Sequence, residues 1–379
     1  MRRMTLRPLS LIAPIVALPA LASCAEAEVG PAPLTDTALA AVTENAGAPR
    51  DQLARAVDEV FVGTGANVGE TRALLVMHAG EIAAERYAPG YDADTRFVSW
   101  SMAKTVTAVM IGMLVADGRL RLDDSPPIAL WQRAGDPRGE ITLRQLLQMR
   151  SGLRHTEAGQ VPYESSEVRM LFLDGRDDMA KFAREQPLEA EVGQQFEYSS
   201  NTTVILADIA ARALTDSSDP DERRRAVSDY LETRLFGPLG MDSMVVEFDV
   251  AGTMVGGSLM HGTARDWARF GEFLRHGGSV RGAQLIPRKW IDFMVTPSPR
   301  SPFYGAQTWL NRESGIDRDE ATPDRGPDTM FGALGHMGQY VLVSPRQKLT
   351  VVRLGHSDRE QRMAMLDELL DIVELYPER

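Results

Sequence analysis

The order of apolar and polar positions predicts strands first, a long helical stretch in the middle, and strands with a closing helix at the end. Two β-prone runs, Thr71–Met77 and Glu81–Tyr87, flank Ala79-Gly80, as in an antiparallel hairpin. From Ser101 to Asp117 the apolar residues follow helical spacing, and Gly118 ends that run. The early part of the chain therefore predicts a hairpin followed by a buried helix.

Helical character dominates residues 119–250, whereas strands return in the last third of the chain. We therefore predict an α/β (α+β) fold in which one sheet layer, about residues 51–118 and 251–379, is built from both chain ends around a helical region. Further predicted elements are a first helix near Gln52–Val62, late strands at Gly305–Leu310, Gly338–Val343 and Leu349–Leu354, and an amphipathic helix from Arg359 to Leu375.

The first residues have the pattern of an export signal. Arg2, Arg3 and Arg7 precede an apolar stretch from Leu9 to Leu21, which is too short for a membrane-spanning helix. The stretch ends in Leu-Ala-Ser-Cys, which resembles the lipobox of bacterial lipoproteins, with Cys24 as the lipidated residue. A plain signal peptide with a cysteine near its cleavage site by chance is the alternative.

The lipoprotein interpretation gives the domain organisation and the location. Residues 1–23 are predicted to be the signal peptide, 24–50 a tether, and 51–379 the folded domain. The protein is then exported, anchored in the lipid bilayer of the cell envelope, and faces the periplasm. Because Cys24 is the only cysteine, an intramolecular disulfide and thiol catalysis in the folded domain are excluded.

Composition and charge exclude some partners. The chain of 379 residues is 44% hydrophobic and 25% charged, which is typical of globular proteins. A formal net charge of -12 argues against a nucleic-acid-binding surface. The run Arg223-Arg224-Arg225 has acidic neighbours on both sides and predicts a solvated helix face.

Ser101 and Lys104 are the first candidate catalytic residues. A serine in the first turn of a helix lies beside unpaired backbone N–H groups at the positive end of the helix dipole. Lys104 follows three residues later, so both side chains lie on the same helix face. A buried lysine loses its proton more easily and acts as a base toward serine. By itself, Ser-x-x-Lys also occurs in solvated surface helices.

The segment Phe97–Lys104 resembles the nucleophile motif of the serine β-lactamase-like family, which includes class C β-lactamases, D-alanyl-D-alanine peptidases, family VIII carboxylesterases and 6-aminohexanoate-dimer hydrolases. Asp117–Asp124 and Ile141–Leu153 are also similar to this family, and the resemblance covers roughly Leu74–Leu354. It implies the β-lactamase/transpeptidase-like fold, an antiparallel sheet flanked by helices and joined to a helical region, with the active site in the cleft between them.

The resemblance extends to Tyr198, which precedes a predicted helix at Thr202–Leu214. A tyrosine at this place in the family points its phenol at the nucleophile, so Tyr198 matches the general base or acid and Ser200 its polar, substrate-binding neighbour. A tyrosine with a pKa of about 10 serves only if a cation such as Lys104 stabilises its phenolate. A half-buried tyrosine at a helix start is the structural alternative.

A third element, Gly335–Gln339, resembles the Lys-Thr-Gly or His-x-Gly strand of the family. The backbone N–H groups of Gln339 and Ser101 then match the oxyanion hole. Gly338 is predicted to let substrate approach the strand closely. His336 is predicted to orient substrate or shape proton transfer, with a histidine packed at a strand edge as the alternative.

No other group of residues in the sequence points to different chemistry. A Gly-x-Ser-x-Gly elbow does not occur in the sequence. The remaining histidines have no metal-ligand spacing and are assigned no function: His78, His155, His261, His276 and His356. We therefore expect neither a metal nor a cofactor.

Together these features predict a serine hydrolase that cleaves a small ester or amide through an acyl-enzyme on Ser101. Ser200 and His336 stand where strict β-lactamases carry Asn and Lys, which brings the chain closer to the esterases and 6-aminohexanoate-dimer hydrolases. The alternative enzymes are a peptidoglycan D-Ala-D-Ala peptidase and a β-lactamase. An alternative of another class is a catalytically silent lipoprotein that binds the cell envelope.

Overall fold

The computed structural model describes residues 33–63, 67–313 and 325–378, and a six-stranded antiparallel sheet lies at its centre. The strand order is β2-β1-β11-β10-β9-β8, so the sheet joins both ends of the chain, as predicted. Its strands are β1 (Glu70–His78), β2 (Glu81–Tyr87), β8 (Trp309–Leu310), β9 (Phe331–Gly335), β10 (Gln339–Ser344) and β11 (Leu349–His356).

Two smaller sheets complete the strands of the described ranges. The order in the three-stranded sheet is β3-β5-β4, and β6 pairs with β7. The first of these sheets places Phe97 and Val98, which lead to Ser101, opposite Gly262 and His261. Their bounds are β3 (Phe97–Val98), β4 (Val245–Val246), β5 (Met260–Gly262), β6 (Ser279–Val280) and β7 (Ala283–Gln284).

The described helices include α1 (Asp36–Ala40), α2 (Arg50–Val62), α3 (Ala103–Ala116), α4 (Leu143–Leu147), α5 (Ser166–Phe172), α6 (Met179–Arg184), α7 (Ser200–Leu214), α8 (Pro220–Leu231), α9 (Gly237–Leu239), α10 (Ala264–Arg275), α11 (Arg288–Met294) and α12 (Arg359–Glu374). Short 3-10 turns cover Trp100–Met102, Pro137–Glu140 and Pro162–Glu164, and a π-helical turn covers Glu232–Phe236. In the described ranges, no helix has the length and apolar character that a membrane crossing needs.

Both faces of the large sheet are covered, because side chains alternate between two hydrophobic cores. Along β1, Leu74 and Val76 pack with residues of α2 and α12, whereas Ala73 and Leu75 pack with α3, α10 and the helical region. Strands β9 and β10 are buried at every position, as expected for a sheet between two helical layers.

Residues from Leu34 onward belong to one compact unit, which differs from the tether predicted for residues 24–50. Ala38, Val42 and Ala46 are buried, and Val42 forms a β-bridge with Ala84. This segment covers the outer part of the sheet with a single bridge and one short helix. Its sequence therefore has no sustained periodic pattern of apolar residues. Cys24 and the predicted signal peptide lie outside the described residues.

Two other predictions are corrected. Arg223 is buried and pairs with Asp208 at 2.6 Å, so the Arg223–Arg225 run is not a wholly solvated helix face. Of the strand predicted at Gly305–Leu310, only Trp309–Leu310 forms, because Tyr304 bridges back to Trp309 across a tight turn. The hairpin at β1 and β2 and the helices at α2 and α12 follow the prediction to within two residues.

Candidate active site

Ser101 lies in the 3-10 turn that leads into α3, the helix whose residues 103–114 are all buried. Met102 and Ala103 are fully buried, which fixes the turn against the core. The residue before Ser101, Trp100, has a φ of 46°. A bulky residue in this left-handed region is strained, and such strain is typical of functional sites. The sequence thus holds the Ser101 hydroxyl in a sharp turn at the start of a rigid helix.

The Lys104 side chain, 1% exposed, connects Ser101 to the interior of the site. Its Nζ atom lies 2.8 Å from Ser101 Oγ, 2.7 Å from Ser200 Oγ and 2.8 Å from the carbonyl oxygen of Gly257. These three acceptors match the three N–H bonds of an ammonium group. Burial lowers the pKa of Lys104, while the nearby carboxylates of Glu157 and Glu167 oppose that shift.

Tyr198 borders the same lysine from the segment that leads into α7. Lys104 Nζ lies 4.8 Å from the centre of its ring, within cation–π distance. The ring also contacts Tyr304 and Trp309, with centroid distances of 5.7 Å and 5.0 Å. The structure therefore brings Ser101, Lys104 and Tyr198 together, as the resemblance implied.

Ser200, the first residue of α7, is fully buried. Its hydroxyl contacts Lys104 Nζ on one side and two carboxyl groups on the other, Glu157 Oε1 at 2.7 Å and Glu167 Oε1 at 3.0 Å. Its backbone N–H donates to Glu157 Oε2 at 2.6 Å. The side chain predicted to contact substrate is therefore engaged by an internal polar network.

Glu157 and Glu167 were not identified from the sequence. Glu157 lies in the loop before α5 and Glu167 in the first turn of α5, and no spacing links either residue to Ser101. Glu157 Oε1 is 3.7 Å from Lys104 Nζ. Burial, with the adjacent charge of Glu157 as the second cause, raises the pKa of Glu167 to about 8.

The turn between β9 and β10 lies against residues 99–101 on the sheet side. A Cβ atom at Gly335 would clash with the carbonyl oxygen of Ser99, so Gly335 makes the close approach between the sheet and this segment. The His336 ring lies edge-on to Trp100, with centroids 5.4 Å apart. Burial lowers the pKa of His336, so its ring is neutral at neutral pH.

The next two residues of the turn have structural contacts. Gly338 has a φ of 77°, which favours glycine, and an added Cβ atom would lie against Arg353. Gln339 opens β10, and its side-chain amide exchanges hydrogen bonds with the backbone of Gly355, at 2.7 Å and 3.0 Å. The structure thus gives both residues a part in the shape of the hairpin.

Arg353 supports this turn from within the sheet. Its side chain is fully buried, and burial lowers its pKa to about 10. The guanidinium donates to the carbonyl oxygen of Gly338 at 2.8 Å, to Ser357 Oγ at 2.8 Å and to Thr71 Oγ1 at 3.0 Å.

In the part of the chain that the structure describes, no cluster of three or more histidine, cysteine or acidic residues is placed to hold a metal ion.

A family model described as Beta-lactamase matches residues 65–374. The 6-aminohexanoate-dimer hydrolase of Paenarthrobacter ureafaciens is 23% identical over 306 residues, which cover 75% of this chain and 72% of that protein.

Solved structures show the same fold. A family VIII carboxylesterase superimposes with a TM-score of 0.60 at 15% identity, covering 83% of this chain and 96% of the other. A D-stereospecific amidohydrolase from Streptomyces gives a TM-score of 0.56 at 18% identity, covering 82% and 97%. These similarities confirm the β-lactamase/transpeptidase-like arrangement, an antiparallel sheet with helices on both sides.

Proposed function

Because the chain belongs to the beta-lactamase family, a family of serine hydrolases, we propose that it cleaves a small ester or amide through a covalent acyl-enzyme on Ser101. The observation that carries this proposal is the 2.8 Å contact between the Ser101 hydroxyl and the amine of buried Lys104. A serine hydroxyl is a weak nucleophile until an adjacent group takes its proton. Lys104 is a titratable group in direct contact with the Ser101 hydroxyl.

The proposed reaction is acyl transfer to water. Ser101 Oγ attacks the substrate carbonyl carbon while Lys104 and Tyr198 take its proton and then deliver it to the leaving group. The backbone N–H groups of Ser101 and Gln339 are proposed to hold the oxyanion. Water then attacks the acyl-enzyme, which releases the acid and restores the Ser101 hydroxyl. None of these steps requires a cofactor or metal.

The polar groups around the cleft favour esters and amides over β-lactams. A cation beside the strand would bind the carboxylate of a β-lactam, but His336 occupies the strand end and burial lowers its pKa. Ser200 is buried behind Lys104 and engaged there, so it offers no amide contact to a ligand. Losing one charge-assisted contact of about 1.5–3 kcal/mol weakens β-lactam acylation roughly ten- to a hundredfold.

A substrate panel tests this assignment. We expect kcat/KM for a p-nitrophenyl acyl ester or a short amide to exceed the values for nitrocefin and benzylpenicillin by at least about tenfold on one enzyme preparation. The Ser101→Ala variant is the matched control for contaminating activity. A clear preference for the β-lactams, or for a D-Ala-D-Ala peptide, would overturn the substrate assignment.

We also propose that the protein is exported and anchored to the envelope through lipid on Cys24. The support is the arginine-led apolar stretch and the position of the sole cysteine three residues after its end. The bilayer is then a partner of the chain, and the ester or amide substrate reaches the cleft from the periplasm.

A further inference from the structure

Building on the proposed function, we infer that Glu157 and Glu167 are positioning residues that act on Ser101 through Ser200 and Lys104, and so set the pH range in which Ser101 is acylated. Both carboxyl groups contact the Ser200 hydroxyl, at 2.7 Å and 3.0 Å, and that hydroxyl lies 2.7 Å from Lys104 Nζ. The contacts form a continuous chain from the two acids to the nucleophile.

The hydrogen bonds at Ser200 are satisfied by one arrangement of protons. A hydroxyl donates one hydrogen bond and accepts up to two. Lys104, as an ammonium, donates to Ser200 Oγ, so only one of the two glutamates can receive the Ser200 proton. The other glutamate must then donate, which requires its neutral form. The three contacts therefore fit one ionised and one protonated carboxyl group.

The charges lead to the same arrangement and identify which acid carries the proton. Two carboxylates that share one hydroxyl repel each other, so one of them keeps a proton. Burial and the adjacent charge of Glu157 raise the pKa of Glu167 to about 8, so Glu167 carries the proton at neutral pH. Glu157 is the carboxyl group that pairs with Lys104 Nζ, at 3.7 Å, and its Oε2 atom accepts the Ser200 backbone N–H at 2.6 Å, so both of its oxygens face donors.

The pair thus holds one negative charge beside the buried Lys104. Other groups that face the lysine are the ring of Tyr198, the carbonyl oxygen of Gly257 and the Ser101 hydroxyl. His336, whose ring packs against Trp100, carries little charge at neutral pH because burial lowers its pKa. Burial favours loss of the Lys104 proton and the charge of the pair favours its retention, so the glutamates determine where Lys104 titrates.

Isosteric amides test this inference. The rate of p-nitrophenyl acetate hydrolysis is measured from pH 5 to pH 10 for the wild type, Glu157→Gln, Glu167→Gln and the double variant. In the double variant the negative charge is absent. We therefore expect the midpoint of the pH–rate profile that is assigned to Lys104 to move down by about one pH unit or more. Glutamine at 167 mimics a neutral acid, so Glu167→Gln should keep a midpoint near that of the wild type.

Glu157→Gln alone should give an intermediate shift, because Glu167 ionises more easily once its neighbour is neutral. Glu85→Gln, on the remote strand β2, is the control and should leave the profile unchanged. A midpoint in the double variant equal to that of the wild type, with rates lowered evenly at every pH, would show a merely structural role and overturn the inference. If the double variant does not fold, Glu157→Gln decides by the same criterion.

Covalent labelling separates this inference from the proposed function. The rate at which a fluorophosphonate reacts with Ser101 is measured over the same pH range for the same variants. If the wild type is not labelled at Ser101, the proposed function fails and the inference fails with it. If the wild type is labelled and the double variant shows the wild-type midpoint, only the inference fails. A downward shift in both assays supports it.

Discussion

Lys104 Nζ lies 2.8 Å from Ser101 Oγ although the lysine side chain is almost completely excluded from solvent. An amine in such surroundings loses its proton more readily than one in water. In the proposed mechanism this pair combines a nucleophile at the start of a buried helix with a base whose other contacts are Ser200 Oγ and the Gly257 carbonyl oxygen.

The proposed relay predicts that Lys104→Ala and Tyr198→Phe each lower kcat by a factor on the order of 10² or more, because each removes a group that moves the Ser101 proton. Steady-state kinetics on a p-nitrophenyl ester measure the effect. Tyr230→Phe is a matched control, since the Tyr230 hydroxyl bonds to Asp117 at the surface. Near-native rates in both relay variants would refute the assignment of the relay.

The burial of His155 predicts that the free energy of unfolding depends on pH. The ring contacts Thr202 Oγ1 and the Ala183 carbonyl oxygen, and burial lowers its pKa to about 4. Below about pH 6.5 the unfolded chain binds a proton that the folded protein excludes, so the free energy of unfolding falls as pH drops toward 4, by up to roughly 3 kcal/mol.

Urea denaturation of the wild type and His155→Gln at pH 7 and pH 4.5 checks this linkage. The variant should lose part of the pH dependence, because its amide does not titrate. His356→Gln, at an exposed position, is the control. Equal pH dependence in the wild type and His155→Gln would exclude His155 as the source.

The hydrogen bonds of Arg353 predict that its buried guanidinium stabilises the β9–β10 turn. Arg353→Met leaves the acceptors at Gly338, Ser357 and Thr71 without their donor, which costs about 3–5 kcal/mol of unfolding free energy. Arg353→Lys should restore part of this loss, since an ammonium donates to fewer of these groups. Urea denaturation measures both variants, and a loss under about 1 kcal/mol in Arg353→Met would contradict the assigned role.

Lipidation predicts that Cys24→Ser abolishes fatty-acid incorporation during expression in a bacterial host. Acyl chains contribute about 0.8 kcal/mol per buried CH₂ group, so several chains anchor the protein stably. Metabolic labelling with a fatty-acid analogue, followed by membrane fractionation, measures the change. Equal label in the wild type and the variant would rule out Cys24 as the lipidated residue.

Most of the sheet and the long helices followed from local pattern, because hairpin turns and amphipathic spacing are encoded within a few residues. The prediction failed where contacts are distant in sequence. Residues 34–50 gain their order from the sheet, through the Val42 to Ala84 bridge. Strand β9 is short and contains two glycines in five residues, so its sequence does not have the composition typical of a strand and it was not predicted.

The residues of the candidate site also fall into two groups, those related by local spacing and those brought together only by the fold. Ser101 and Lys104 are three residues apart on one helix, so the sequence alone relates them. Glu157 and Glu167 reach the site only because α5 packs near the start of α7, a relationship that no spacing reveals. Arg223 was misassigned for the same reason, since its partner Asp208 lies on another helix.

The proposed mechanism requires the Ser101 hydroxyl to act as a covalent nucleophile. Intact-protein mass spectrometry after incubation with a fluorophosphonate, followed by peptide mapping, tests it most directly. We expect one adduct on Ser101 in the wild type and none in the Ser101→Ala variant, which should unfold at a similar urea concentration because a helical turn accommodates alanine readily. An adduct at another residue, or an equal adduct in Ser101→Ala, would contradict it.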